Sequence, residues 1–375
     1  MKLIYFGADA PWTKLLNNGF RRRNTHLLKS FASSGFYDQV IAVHFATRGQ
    51  VLKSILDKKI KDAAVSDVFV ANILPVGLKG TFFTKINEFF FKLQIWLQGF
   101  RKFNRSENII YCYWPKGYDL SRNVALKGRI FFDTDHNIIH DENLNKKQQD
   151  WQEKLLLDAG KNCEKVLSST RSMLDWYAER GYKNLYRLRN GIIPEIFMNL
   201  PEPKKQFSSP IIGYIGTISK WIDYEAFEVM IKKNPQWDFP IYGPSFKTET
   251  YKNLEAFKNV HFMGPVKADD VPATLKTFDV ALNLYRNQPW LDVDSMKLYE
   301  YIAAGVPVVS LNYHPFLGQD FENNLYLAEN ASEMEVQIKK ILEARISGDT
   351  GKKFIMNSTW DKRVENFHQD VIRKS

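Results

Sequence analysis

Short runs of β-branched and aromatic residues alternate with longer amphipathic stretches along the whole chain. In the first half the pattern predicts strands over Lys2–Gly7, Gln39–Phe45, Asp67–Leu74, Asn108–Tyr113, Arg129–Asp133 and Lys165–Ser169. In the second half it predicts them over Pro210–Ile215, Asp238–Tyr242, Val260–Met263, Asp279–Tyr285 and Pro307–Leu311. Strands separated by helices cannot pair as hairpins, so they imply parallel sheets with helices on both faces. The polar stretch Asn199-Leu200-Pro201-Glu202-Pro203-Lys204-Lys205 interrupts the alternation and reads as an interdomain linker. The expected fold class is α/β: two doubly wound, Rossmann-like domains over 1–200 and 201–358, facing one another across a cleft. A terminal helix over 359–375 is expected to return to the first domain. Sheets of this kind bind ligands beyond the carboxyl ends of their strands.

Length agrees with this division, since 375 residues exceed one ordinary core. With 44% hydrophobic and 25% charged residues the chain is globular rather than disordered. Two cysteines, Cys112 and Cys163, cannot supply a disulfide framework and suit a reducing cytosol. The opening apolar run is too short for a signal peptide, and no segment approaches a membrane span. Charge changes the picture more. Residues 1–200 hold 31 Lys+Arg against 19 Asp+Glu, whereas 201–375 hold 21 against 23. A basic first half suits nucleic acid, an anionic membrane surface or a phosphorylated substrate.

The most informative segment runs from Asp292 to Ser310, with Ser295-Met296-Lys297-Leu298-Tyr299-Glu300 at its centre. Asp294 or Ser295 can cap a helix starting near Met296, and Gly305 with Pro307 ends it ahead of a buried strand. Lys297 in the first turn opposes the helix dipole unless an anion is present, and a diphosphate would resolve the conflict. Glu300 lies one turn on, near the same face as Met296, and a carboxylate there suits the paired hydroxyls of a ribose.

These residues, with Ala303-Ala304-Gly305-Val306-Pro307-Val308-Val309, resemble the donor-site motif of GT-B glycosyltransferases of family 4. The Met-Lys-Leu-Tyr-Glu-Tyr version is similar to enzymes that make bacterial surface polysaccharides, including teichuronic-acid and xanthan-type transferases. The resemblance implies that Glu300 binds the ribose, that Met296 and Lys297 contact the nucleotide diphosphate with Ser295 beside them, and that Asp292 takes the place of a glutamate facing the donor sugar. Further segments match in order. Gly216 and Lys220 fall near phosphate, Gly243 and Val266 at strand ends that cradle the base, and Tyr285 ahead of the key helix. A transferase of this kind takes a nucleotide-sugar donor, here a UDP-sugar, and a glycan or polyprenyl-diphosphate-linked acceptor. The resemblance implies no cofactor and no metal, because helix dipole and basic side chains replace the ion.

The first half carries the acceptor side. Asp133-Thr134-Asp135-His136 follows a buried strand, and Asp135 or Asp133 could be the general base of an inverting enzyme, with His136 bonding the donor sugar in a retaining one. Gly19, Arg21 and Arg22 stand where the family has a Gly-rich acceptor loop, and the arginines could grip an acceptor phosphate. Residues 77–105 interleave Phe89, Phe90, Trp96, Phe100 and other aromatics with six basic residues and one acid, Glu88. Such a segment can lie in a membrane interface, placing the protein in the cytoplasm at the inner face of the cell membrane. A sugar-nucleotide epimerase or a non-catalytic scaffold of the same fold are the alternatives. No nucleic-acid-binding motif accompanies the positive charge, and no nucleic-acid partner is expected.

Overall fold

The computed structural model describes residues 1–7, 22–45, 68–73, 89–90, 92–93, 96, 106–123, 126–135, 139, 144–198, 200, 204, 206–244, 253–288, 291–346 and 351–374. They divide into two compact units, Met1–Arg189 with Trp360–Ser375, and Asn190–Thr359.

The first unit is built on seven strands, β1 (Lys2–Gly7), β2 (Gln39–Phe45), β3 (Val68–Ile73), β4 (Ile109–Tyr113), β5 (Arg129–Thr134), β6 (Lys165–Ser168) and β7 (Leu185–Arg187). Their order is β3-β2-β1-β4-β5-β6-β7, and every pairing is parallel. β4 is buried at all five positions, as a central parallel strand covered on both faces must be. The last segment packs here through rings. Trp360 stacks on His26 at 5.2 Å, and Phe367 meets the edges of Phe31, Tyr111 and Phe131.

The second unit has six parallel strands, β8 (Ile212–Ile215), β9 (Phe239–Tyr242), β10 (Val260–Gly264), β11 (Val280–Asn283), β12 (Val308–Leu311) and β13 (Tyr326–Ala328). Their order, β10-β9-β8-β11-β12-β13, reverses direction between β8 and β11. At that point the loops leaving the two strands go to opposite faces of the sheet and open a crevice. Two apolar clusters cover the faces, one around Phe227, Met230 and Ile338, the other around Leu298, Tyr301 and Phe354.

Two strands escaped the hydrophobic pattern, β7 and β13. Each has three residues, too few to show a period. The division between units also falls earlier than the proline-bearing linker at 199–205. Asn190 is hydrogen-bonded to Asp294, Ile192 pairs with Thr359, and Phe197 is buried in the second unit's core. Residues 190–198 therefore fold with the second unit because their apolar and polar partners are there.

Candidate functional site

Three glycines close the carboxyl ends of the second sheet. Gly216 follows β8 and donates its N–H to the Tyr242 carbonyl at 2.9 Å, while Gly243 donates to Gly264 at 2.9 Å. Gly243 has φ +140°, and a β-carbon on it would stand 2.0 Å from the Gly216 carbonyl oxygen. Only glycine fits, so Gly243 is a packing requirement of this strand end. Val266 packs, half-buried, against the core beside it.

The loop after β8 is tied to the loop after β11. Ile222 bridges Tyr285, Asp223 donates its N–H to the Leu284 carbonyl at 2.7 Å, and Arg286 donates to the Trp221 carbonyl at 2.9 Å. Asp223 then caps the helix Tyr224–Lys233 by accepting from the Ala226 N–H. Lys220 lies exposed on this loop.

The predicted helix spans Met296–Ala303, with Ser295 at the N-cap. Ser295 is buried but makes no side-chain capping bond. Asp294 works instead on the preceding turn, accepting from the Asn190 N–H at 2.6 Å and from the Tyr299 hydroxyl at 2.9 Å. Farther along, the Tyr301 hydroxyl accepts from the Ile215 N–H and donates to the Ile215 carbonyl, both at 2.9 Å. That completes the backbone pairing of β8 just past the point where β11 stops pairing with it, and binds the helix to the strand end.

Lys297 lies in the first turn, with its ammonium against Gly216. A β-carbon on Gly216 would stand 3.1 Å from Nζ. Nζ donates to the Tyr214 hydroxyl at 2.9 Å and sits 4.6 and 4.4 Å from the ring centres of Tyr214 and Tyr285. No carboxylate pairs with it among the described residues. Burial disfavours the ammonium, but the hydroxyls of Tyr214, Tyr285 and Tyr301 outweigh it, and the group is held above the ordinary lysine value. Burial likewise raises Tyr214, with the Lys297 charge opposing. A partly buried cation at a helix N-terminus, with no carboxylate paired to it among the described residues, favours an anion beside it. Glu300, Met296 and Asp292 are each half-buried around the same helix start. The structure thus brings Lys297 against Gly216, Tyr214 and Tyr285 at the crevice between β8 and β11, with Ser295, Met296 and Glu300 on the same helix; reasoning from sequence missed Tyr214 and Tyr301, and gave Asp294 only a capping role. A buried tyrosine in a strand looks the same in sequence whether its hydroxyl works or not.

In the first unit the two aspartates separate. Asp133 is fully buried and bound at both oxygens. Arg23 donates to them at 3.1 and 3.0 Å, and Tyr111 adds a bond of 2.6 Å to Oδ2. Burial pushes its carboxyl up while Arg23 opposes the shift. Both Asp133 oxygens are thus committed to Arg23 and Tyr111 in the interior, the arrangement of a structural anchor. Asp135 is half-buried at the end of β5, where the Tyr113 hydroxyl donates to it at 2.7 Å and the Trp114 indole N–H at 3.2 Å. Trp114 has φ +66°, a strained conformation for a bulky residue and one that recurs at functional sites. Arg22 is exposed just before the helix Arg23–Ser33. His136, Gly19 and Arg21 lie outside the described residues, as do most of residues 77–105.

Residues 209–344 match the family described as Glycosyl transferases group 1. Over 140 residues the chain is 27% identical to TuaH of Bacillus subtilis (strain 168), named as a teichuronic acid biosynthesis glycosyltransferase. That match covers 35% of each protein, so the chain spans about a third of this relative's length. Among solved structures, Anabaena Alr3699/HepE in complex with UDP and glucose superposes with a TM-score of 0.65 at 13% identity, covering 100% of this chain and 98% of that one. A glycosyltransferase from Rickettsia africae ESF-5 gives 0.67 at 13% identity, covering 100% and 99%. At such identities the likeness shows the fold, which is GT-B.

Proposed function

From the premise that residues 209–344 form a glycosyltransferase group 1 domain, we propose that the protein transfers a sugar from a nucleotide-diphosphate donor, a UDP-sugar, to a glycan or polyprenyl-diphosphate-linked acceptor in bacterial surface polysaccharide synthesis. The observation that carries the reading is the Lys297 ammonium, seated at the sheet's reversal point with two ring faces and a hydroxyl and, among the described residues, no carboxylate paired with it. On this reading the donor diphosphate supplies the missing charge. The leaving diphosphate gains negative charge as the glycosidic bond to it breaks, and Lys297 with the first-turn N–H groups stabilises that charge without reorganising. Glu300 accepts from the ribose hydroxyls, and Met296 lies against the nucleotide. In the first unit Asp135, oriented by Tyr113 and Trp114, is the general base for the acceptor hydroxyl. TuaH carries a surface-polymer name, and the HepE structure holds UDP and glucose. Both support the choice of donor and pathway class.

Calorimetric titration with UDP, UMP, GDP and ADP tests the donor, and labelled UDP-sugars incubated with and without membrane lipid extract test the transfer. Binding of UDP above the other three, with label passing to lipid or glycan, supports the reading. Isomerisation of the sugar nucleotide without transfer would replace it with an epimerase.

A further inference from the structure

Lys297 reaches the crevice from a helix, but its ammonium is held by the strand loops. The Tyr214 hydroxyl accepts from Nζ at 2.9 Å and itself donates to the Thr217 carbonyl at 3.1 Å. Its one proton is thus committed to the backbone and a lone pair is left facing the ammonium. Tyr214 is 2% exposed and cannot turn away. The second wall, Tyr285, is braced edge-on by the Tyr313 ring at 5.3 Å, and the Tyr313 hydroxyl donates to the Val293 carbonyl at 2.9 Å. The clamp is therefore tied at one side to the loop after β8 and at the other to the segment leading into the Met296–Ala303 helix. A lysine side chain has four rotatable bonds and loses much freedom when its charge is fixed in one place. A pre-set ammonium has already lost that freedom before the ligand arrives.

We propose that Tyr214 and Tyr285 are positioning residues that hold the Lys297 ammonium at the end of β8, one hydrogen committed to Tyr214 and the others left for the outer phosphate of a nucleoside diphosphate. The inference rests on reading Lys297 as the diphosphate ligand. It makes the clamp the source of preference for a diphosphate over a monophosphate. A monophosphate ends one phosphate short of the ammonium and does not register the clamp.

The test is calorimetric titration of UDP and UMP into the full chain and its Tyr214→Phe, Tyr285→Leu, Tyr285→Phe and Lys297→Met variants, with thermal melts as a check on folding. Tyr214→Phe keeps the ring and removes only the acceptor. It should weaken UDP by about fivefold, the worth of one such bond, and move UMP by less than about twofold. Tyr285→Leu should do the same, and Tyr285→Phe should restore the UDP preference because the ring face is what acts. In the Lys297→Met background Tyr214→Phe should have no further effect. Equal losses for UDP and UMP, or losses that add to Lys297→Met, would show that the tyrosines only support the fold and would overturn the proposal. If Lys297→Met itself leaves the UDP to UMP ratio unchanged, the diphosphate reading of the site falls first. If Lys297→Met loses the preference and Tyr214→Phe keeps it, the site reading stands and the clamp alone is wrong.

Discussion

Arg23 and Asp133 form a two-point ion pair, Nε to Oδ2 at 3.1 Å and Nη2 to Oδ1 at 3.0 Å, in which neither side chain is more than 2% exposed. Arg23 also donates to the Leu188 carbonyl at 2.7 Å. The pair joins the Arg23–Ser33 helix to β5 and to the chain just past β7. Removing one partner strands a charge in the interior, so Asp133→Ala should cost about 3–5 kcal/mol in chemical denaturation. Asp135→Asn leaves the buried pair alone and should stay close to wild-type stability. Its turnover should drop at least about 100-fold, the usual worth of a general base. A stable Asp133→Ala with dead chemistry would reverse these assignments.

Lys297→Ala and Glu300→Ala should each lower donor affinity or turnover by roughly 10- to 100-fold, as loss of a charged hydrogen bond implies, with melting temperatures little changed. Glu300 is half-buried on the helix. Steady-state kinetics on both variants decides the matter. Near-normal constants in both would remove the donor site from this helix.

Gly243→Ala should destabilise by more than about 2 kcal/mol, because the added carbon meets the Gly216 carbonyl at 2.0 Å in a backbone region that L-residues avoid. Gly264→Ala is the control. It has φ +73° but nothing within 4 Å of an added carbon, so only the conformational cost of about 1 kcal/mol remains. Equal shifts in thermal melting for the two would mean that the sheet relaxes around Gly243.

Transfer should survive EDTA. On the proposed reading Lys297 and the helix N-terminus meet the leaving charge, and Asp133 is committed to Arg23. Activity that vanishes on chelation and returns with Mg²⁺ or Mn²⁺ would place a metal at the diphosphate and displace this account.

We also propose that the protein meets a lipid surface through the basic, aromatic stretch of residues 77–105. Among the described residues Phe89 is 62% and Trp96 54% exposed, and Phe90 lies beside Phe89 at 44%. No helix among the described residues is long and apolar enough to cross a membrane. Replacing Phe89, Phe90 and Trp96 by Ser should weaken co-sedimentation with anionic vesicles, and salt should weaken it further. Unchanged partitioning of the folded triple variant would rule the segment out.

Two doubly wound sheets and the helix starting at Met296 were legible in the sequence alone, because each rests on a local signal. Strand and helix periods are set by neighbours in the chain, and the basic first turn and the Gly-x-Pro stop lie in one short segment, Lys297 to Pro307. Tertiary structure decided the rest. Asp133 and Asp135 are two residues apart and chemically identical, yet one is sealed by Arg23, which is 110 residues away, and the other is presented by Tyr113 and Trp114. Gly243 reads as part of a base-cradling strand end until the Gly216 carbonyl is seen against it. Tyr214 reads as core until Lys297, from another element, brings its ammonium to the hydroxyl. Local sequence dictates which elements form. Whether a polar group is buried, paired or free to act depends on what the fold brings from far along the chain, and no short-range pattern records that.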